Sequence, residues 1–314
     1  MSMDLEMFRN LPTADVAQLV RDGGTRVCVF PINGTRRWFM MEHLSEKEKD
    51  FASAYLDASG RGHVELYQLL FDHGLDTLLT PVFGPDLLKR GIGYMQVVVE
   101  GLSRLATHPD FLNFYEAYGV RVRFYGDYRK FFGSTAYASC LVDLFDEVMA
   151  RTAMHDRHRL FFGVCAQDAT ETIAEQVIHY YAEHGHVPDK RTLIELYYGE
   201  YVEPVGLFIG FDKPSVFDMH LVATGSEDLY FTVSPSLYLN QRQLRDILYD
   251  HLYTRREQAP DYSAIGANDW ALIKEFYRAN RERTLGVGAR QKNGGFWYPL
   301  PQVELPPGFV EPRN

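Results

Sequence analysis

Arg26-Val27-Cys28-Val29-Phe30-Pro31-Ile32-Asn33-Gly34-Thr35-Arg36-Arg37-Trp38 runs from an apolar stretch straight into a glycine turn and two adjacent arginines. The apolar part is nearly continuous, with no alternating polar face. Such a run suits a strand covered on both sides, the usual condition in a parallel sheet. Gly34 lets the backbone approach a ligand closely. Thr35 stands at what should be a helix start, where anions are favoured. Arg36 and Arg37 supply charged forks that match phosphate oxygens. A solvated turn with two surface arginines is the competing reading of so short a motif. In open parallel sheets, however, ligands bind outside the carboxyl ends of the strands, which is where this loop falls.

Five further β-rich runs follow: Asp76–Phe83, Val120–Tyr125, Arg159–Cys165, Val205–Gly210 and Leu229–Val233. Helical stretches separate them. Ser45–His73 opens with a capping-box pattern, Ser45 with Glu48, and Pro85–Leu105 opens with a proline suited to a first turn. Asp168–His184 carries Asp168 and Glu171 at cap spacing; Arg191–Tyr198, Gln241–Arg256 and Ala267–Arg281 come later. Strand–helix alternation with long connections implies an α/β fold, a parallel six-stranded sheet covered by helices. The expected organisation is one domain over residues 1–285, then an irregular Gly- and Pro-rich extension over 286–314.

The formal net charge of -10 argues against nucleic-acid binding, which relies on basic surfaces, but leaves room for one small cationic pocket. The three cysteines, Cys28, Cys140 and Cys165, show no CxxC spacing, so neither a disulfide framework nor a zinc site is indicated. Cys28 and Cys165 read as buried small hydrophobes. The N-terminal stretch lacks the pattern of a signal peptide. No run reaches the ~18 apolar residues of a spanning helix. A cytoplasmic enzyme without a transmembrane segment is the expectation. Dinucleotide and P-loop glycine motifs are absent, as is a DDxxD run. The 20 tyrosines matter because aromatic faces stabilise cations.

The strand order, the Asn33-Gly34-Thr35-Arg36-Arg37-Trp38 loop and Arg61-Gly62-His63 in the next helix resemble cis-prenyltransferases. Those enzymes hold an allylic diphosphate on an Asp-Gly-Asn-x-Arg-Trp loop. Leu221-Val222-Ala223-Thr224-Gly225-Ser226-Glu227-Asp228-Leu229 looks like their Ile-Arg-Thr-Gly-Gly-Glu-x-Arg segment. Ala223 and Leu229 then stand where that family binds isopentenyl diphosphate with arginines, so chain elongation is not expected.

A second resemblance covers nearly the whole chain. The sequence is similar to tuberculosinol/isotuberculosinol synthases, also described as tuberculosinyl adenosine transferases, and to kolavelool synthases. It rests on Gly34-Thr35-Arg36-Arg37-Trp38-Phe39, Asp86-Leu87-Leu88 with Arg90-Gly91 and Tyr94, Phe124-Tyr125-Gly126-Asp127-Tyr128 and Tyr197-Tyr198-Gly199-Glu200-Tyr201-Val202. Leu229-Tyr230-Phe231-Thr232-Val233, Ile247-Leu248-Tyr249-Asp250-His251 and Pro260-Asp261-Tyr262-Ser263-Ala264 extend it. The resemblance implies a homodimer, a bicyclic diterpene diphosphate supplied by a separate class II diterpene cyclase, and Mg²⁺-assisted loss of diphosphate. It assigns diphosphate binding to Gly34, Thr35, Arg36 and Arg37, and catalytic positions to Asn33, Tyr55 and Tyr94. Asn33 stands where both families carry Asp, the implied metal position. An amide is neither an anionic metal ligand nor a carboxylate base. A natural variant and an exchange that traps substrate both fit the residue.

The expected reaction is ionisation followed by water capture to a tertiary allylic alcohol. Transfer to adenosine is the alternative, although no residues suggest a purine pocket; a non-catalytic partner subunit is the other. Several residues carry plainer readings. Asp127 and Asp168 lie at the same sheet edge, with Asp168 read as a cap. His155 and His158 have helical metal-ligand spacing but no supporting ligand, so a solvated loop is expected. Tyr197, Tyr198 and Tyr201 either line a pocket or pack.

Overall fold

The structure, a computed structural model, describes residues 3–43, 51–84, 92–133, 138–166, 168–255, 262–291 and 296–302. Six strands, β1 (Val27–Val29), β2 (Thr77–Phe83), β3 (Val120–Tyr125), β4 (His158–Val164), β5 (Leu207–Phe211) and β6 (Asp228–Thr232), form one sheet in the order β3-β4-β2-β1-β5-β6. Every pairing is parallel, with Val27 opposite Thr77 and Cys28 opposite Leu207. The helices are α1 (Leu5–Asn10), α2 (Thr13–Asp22), α3 (Thr35–Glu42), α4 (Phe51–Asp72), α5 (Ile92–Thr107), α6 (Pro109–Tyr118), α7 (Tyr128–Gly133) and α8 (Cys140–Arg151). They continue with α9 (Thr170–His184), α10 (Lys190–Tyr198), α11 (Gln241–Tyr249), extended by a π-helical turn at Asp250–Thr254, and α12 (Ala267–Asn280). Among the described residues no helix is long and apolar enough to cross a membrane.

Alternate residues of each strand enter opposite cores, as the two-residue period of a strand requires. Cys28 and Phe30 join Tyr67, Leu70, Phe114 and Phe162 on one face. Val27 and Val29 join Leu79, Tyr125, Phe161 and Phe208 on the other. The central strands β1, β2, β4 and β5 are thus covered on both faces, which explains their apolar runs, whereas β3 and β6 at the edges alternate or are part-exposed. Tyr197 and Tyr198 belong to the second core, with ring centroids 4.8 Å apart and Tyr125 4.9 Å from Tyr198. They pack there. Cys28 and Cys165 are buried as small hydrophobes.

The six strand runs hold, with most ends moved by a residue or two and β1 ending at Val29, three residues before Ile32. The capping box at Ser45 and Glu48, the helix start at Pro85 and the stretch Asp86–Gly91 lie outside the described residues. Residues 286–302 are less irregular than expected: β7 (Gly288–Arg290) and β8 (Trp297–Pro299) form an antiparallel ribbon, with Ala289 opposite Tyr298. The solvated-loop reading of the two histidines needs correction. His155 donates from Nδ1 to the Val120 carbonyl (3.0 Å). His158 begins β4 and stacks on Phe71 at 4.2 Å, and burial pushes it down to about 4. Each anchors the strand edge.

Candidate active site

The sheet order makes β1 the point from which the chain first moves one way, to β2, and later the other, to β5. Residues 30–34 leave its carboxyl end at this switch point, the usual crevice of an open α/β sheet. Gly34 turns the chain into α3 with φ 76°. A Cβ there would lie 2.8 Å from the Phe211 ring and 3.1 Å from Pro235, so both the sign of φ and the close approach require glycine. Ser236, wholly buried, clamps the preceding residue. The Asn33 N–H donates to Ser236 Oγ, and the Ser236 N–H donates to the Asn33 carbonyl, each at 3.1 Å. Gly34 places no side-chain cap on α3, and no acidic residue stands in its first turn. The first N–H groups of that helix are thus directed at the loop mouth, a setting that favours an anion.

Thr35 Oγ1 and Tyr55 Oη are 2.7 Å apart, which ties α3 to α4. The Tyr55 ring rests edge-on against Phe39 at 5.6 Å. Arg36 and Arg37 are exposed. Arg37 Nη1 lies 3.7 Å from Asp212 Oδ2, and its guanidinium sits 5.4 Å from the Phe211 ring centre.

From this loop a cavity of about 490 Å³ runs beneath α4 and α5. Asn33, Gly34, Thr35, Arg36, Arg37 and Tyr55 line its mouth; Leu56, Phe83, Val98, Leu102, Leu105 and Phe111 line its depth. Gly101 leaves room on α5, since a Cβ there would meet Leu56 at 3.1 Å. Ser59 and His63 add polar atoms to the wall. His63 Nδ1 donates to the Ser59 carbonyl (2.6 Å), and burial lowers its basicity, so the ring is neutral near pH 7. The site thus joins an apolar tunnel to a cationic rim.

The sequence-predicted residues Asn33, Gly34, Thr35, Arg36, Arg37 and Tyr55 come together here. Tyr94 belongs to the first turn of α5, and its side chain lies outside the described residues. Asp127 and Asp168 do not line the cavity: Asp127 accepts from the Thr172 hydroxyl, and Asp168 Oδ1 accepts from the Thr170 N–H (3.2 Å) at the start of α9. The segment likened to the isopentenyl-binding arginines is also misplaced by that reading. Thr224–Glu227 precedes β6, and the Val222 carbonyl accepts from Val205, just ahead of β5. Ala223 is therefore at the amino edge of the sheet, opposite the loop. The residues that face the loop from β5 are instead Phe211, Asp212 and Lys213. Ser236 and Asp212 were missed because no local motif marks them.

Metal binding fits poorly. Asn33 offers only a neutral amide, and among the described residues no group of three or more His, Cys, Asp or Glu side chains could hold an ion.

A six-stranded parallel sheet in this order, with a cationic glycine turn at its switch point, is the cis-prenyltransferase fold. Lavandulyl diphosphate synthase from Lavandula x intermedia, solved with dimethylallyl diphosphate, superposes with a TM-score of 0.58 at 13% identity, over 76% of this chain and 98% of that one. A probable undecaprenyl diphosphate synthase from Campylobacter jejuni gives 0.53 at 15% identity, over 75% and 97%. The sequence narrows the class. The chain is 42% identical over 292 residues to the tuberculosinyl adenosine transferase of Mycobacterium tuberculosis, covering 93% of this chain and 96% of that protein. It is 25% identical over 283 residues to the (+)-kolavelool synthase of Herpetosiphon aurantiacus, covering 89% and 91%. The chain belongs to the enzyme family of tuberculosinyl adenosine transferase and (+)-kolavelool synthase. No protein-family model matches it.

Proposed function

We propose that this enzyme ionises a bicyclic diterpene diphosphate of kolavenyl or tuberculosinyl type and lets water capture the cation. The products are a tertiary allylic alcohol, of kolavelool or isotuberculosinol type, and diphosphate. The observation that carries this reading is the cavity of about 490 Å³, with Leu56, Phe83, Leu102 and Phe111 in its depth and the Gly34–Arg37 loop at its mouth. That volume lies in the range of small-molecule sites, ~300–1,000 Å³. The bond from the allylic carbon to the diphosphate oxygen breaks, and its electron pair leaves with the oxygen. Negative charge then grows beside the α3 N–H groups, Arg36 and Arg37, which line the cavity mouth, so the transition state gains more than the ground state. The Thr35–Tyr55 hydroxyl pair stands at the cavity mouth, suited to hold a water; Tyr94 takes the same role in this reading. The water oxygen bonds to the tertiary carbon and its proton leaves. Among the described residues no side-chain group fits Mg²⁺, so the chain's own cations and helix N–H groups carry the charge in this reading. Asp212 at the end of β5 repels a second diphosphate, so elongation is not part of the reading. A homodimer and an upstream class II diterpene cyclase belong to it; light scattering of the purified chain tests the former.

A second reading, transfer of the diterpenyl group to adenosine, is favoured by a cavity of about 720 Å³ on the other side of Arg37. Phe231, Trp297 and Tyr298 offer flat faces there, and Thr232 and Gln302 offer polar atoms. One experiment separates the readings. The purified chain is incubated with a panel of bicyclic diterpene diphosphates, with and without adenosine and labelled isopentenyl diphosphate. Diphosphate release and product masses are measured. The expected outcome is alcohol plus diphosphate with no label incorporated. A dominant nitrogen-containing adduct moves the assignment to the second reading. Absence of diphosphate release from every substrate rejects both and leaves a non-catalytic partner subunit.

A further inference from the structure

Asp212 takes no chemical part in the reaction as derived above, yet its placement is costly. Its φ is 67°, in the left-handed region that non-glycine residues seldom adopt. The conformation is held by its N–H, which donates to the Thr232 carbonyl at 3.0 Å. With Arg37 it lines the cavity of about 720 Å³ and also a cleft of about 380 Å³ that includes Asn33 and Lys213. Arg37 belongs to the diphosphate cavity too, so Asp212 stands on the boundary between that cavity and the space beyond it.

Its register relates it to Asn33. β1 and β5 are paired neighbours with Val29 opposite Phe208. Asn33 and Asp212 each lie the same number of residues beyond that pair, at the carboxyl ends of adjacent strands. Asn33 carries an amide, which has no basic lone pair to take a proton. Asp212 carries a carboxylate, with its side chain 23% exposed, on the walls of the cavity of about 720 Å³ and the cleft of about 380 Å³ that meet the diphosphate cavity at Arg37.

We propose that Asp212 is the proton acceptor of this site, supplying from β5 the carboxylate that Asn33 does not supply from β1. The inference rests on the proposed ionisation reaction. As the nucleophile's oxygen or nitrogen bonds to the allylic carbon, the proton on that atom passes to the Asp212 carboxylate. The electron pair of the broken carbon–oxygen bond stays on the diphosphate. Asp212 later releases the proton to solvent.

Asp212→Asn isolates the charge, because asparagine keeps the size and tolerates the left-handed backbone. Product formation by the full chain is expected to fall ~100-fold, the lower end for a lost general base, because a cation whose nucleophile keeps its proton returns to the diphosphate. Binding of inorganic diphosphate, followed by calorimetry, is expected to stay the same or tighten as a nearby negative charge disappears. Adding Asn33→Asp to Asp212→Asn is expected to restore at least ~10-fold of the loss. The proposal is overturned if Asp212→Asn turns over within about threefold of the parent or faster. Loss of diphosphate affinity in step with rate, or no rescue by Asn33→Asp, overturns it as well. A parent chain that neither binds inorganic diphosphate nor releases it from any substrate rejects the site reading itself. An active parent with an unaffected Asp212→Asn rejects only this inference.

Discussion

Arg37 has two possible partners, and their strengths differ. The contact to Asp212 is long, 3.7 Å, and the Arg37 side chain is 46% exposed. Such a pair contributes at most ~1 kcal/mol to stability. In the proposed reaction a diphosphate offers multiple charged oxygens and gains charge as the bond breaks, which would give Arg37 the larger share of its interaction energy in turnover. Arg37→Ala is therefore expected to lower diphosphate release by more than ~100-fold, roughly the loss of one oriented transition-state donor, with little change in melting temperature. Turnover within threefold of the parent, ~0.7 kcal/mol, contradicts this role. Residues such as Arg37 were legible because the loop is contiguous: Asn33 to Arg37 stand next to one another in the chain, and chemistry alone marks them. Ser236 and Asp212 reach the same site from some two hundred residues away, brought in by the β1–β5–β6 neighbourhood. No spacing rule reports that.

At the level of elements, the turn between β1 and α3 decides whether the loop exists. Gly34→Ala meets two obstacles at once: a positive φ and a Cβ 2.8 Å from the Phe211 ring. The strained backbone alone costs ~1–3 kcal/mol, and relief by shifting Phe211 also displaces Asp212 beside it. The expected outcome is a lower denaturant midpoint together with at least a tenfold loss of turnover, measured on the same preparation. An unchanged midpoint would show that α3 can start without the left-handed turn. The central strands are legible because burial on both faces leaves short apolar runs rich in β-branched and aromatic residues; the edge strand β3 shows instead an alternation of Val and Arg. Helices α1, α2 and α8 do not stand out in the sequence: α1 has only six residues despite its Asp4 cap, and α2 and α8 carry no side-chain cap. The ribbon β7–β8 was hidden by its Gly and Pro content. The Thr224–Glu227 segment misled for a different reason: its residues match a known loop, but strand register places them at the opposite edge of the sheet.

Across the whole molecule the two faces of the sheet divide the work. The face under α4 and α5 is opened by the cavity. The other is packed tight with aromatic rings, and at its centre Asp218 is 3% exposed. Asp218 Oδ1 has no hydrogen-bond partner within the described residues, and Tyr125, Tyr197 and Tyr198 surround it. Burial pushes its carboxyl up from 3.8 to about 7. A group whose folded pKa is raised binds its proton more tightly in the native state, so the native state loses stability as pH rises from ~4 to ~7. At ~1.4 kcal/mol per unit, the penalty reaches at most ~4 kcal/mol above pH 7. His158 acts at the acid side of the same range: held near 4 by burial, it withdraws stability as pH falls below its ordinary 6.5. Asp218→Asn removes the alkaline penalty without changing shape, and asparagine accepts the φ of 56° found there. Denaturant unfolding of parent and variant at pH 5 and pH 8 tests the argument. The variant is expected to gain stability relative to the parent at pH 8 by ~2 kcal/mol or more, with a much smaller gain at pH 5. Equal differences at the two pH values would mean that water or a rearranged tyrosine hydroxyl solvates the carboxylate, and that this core is less dry than its packing indicates.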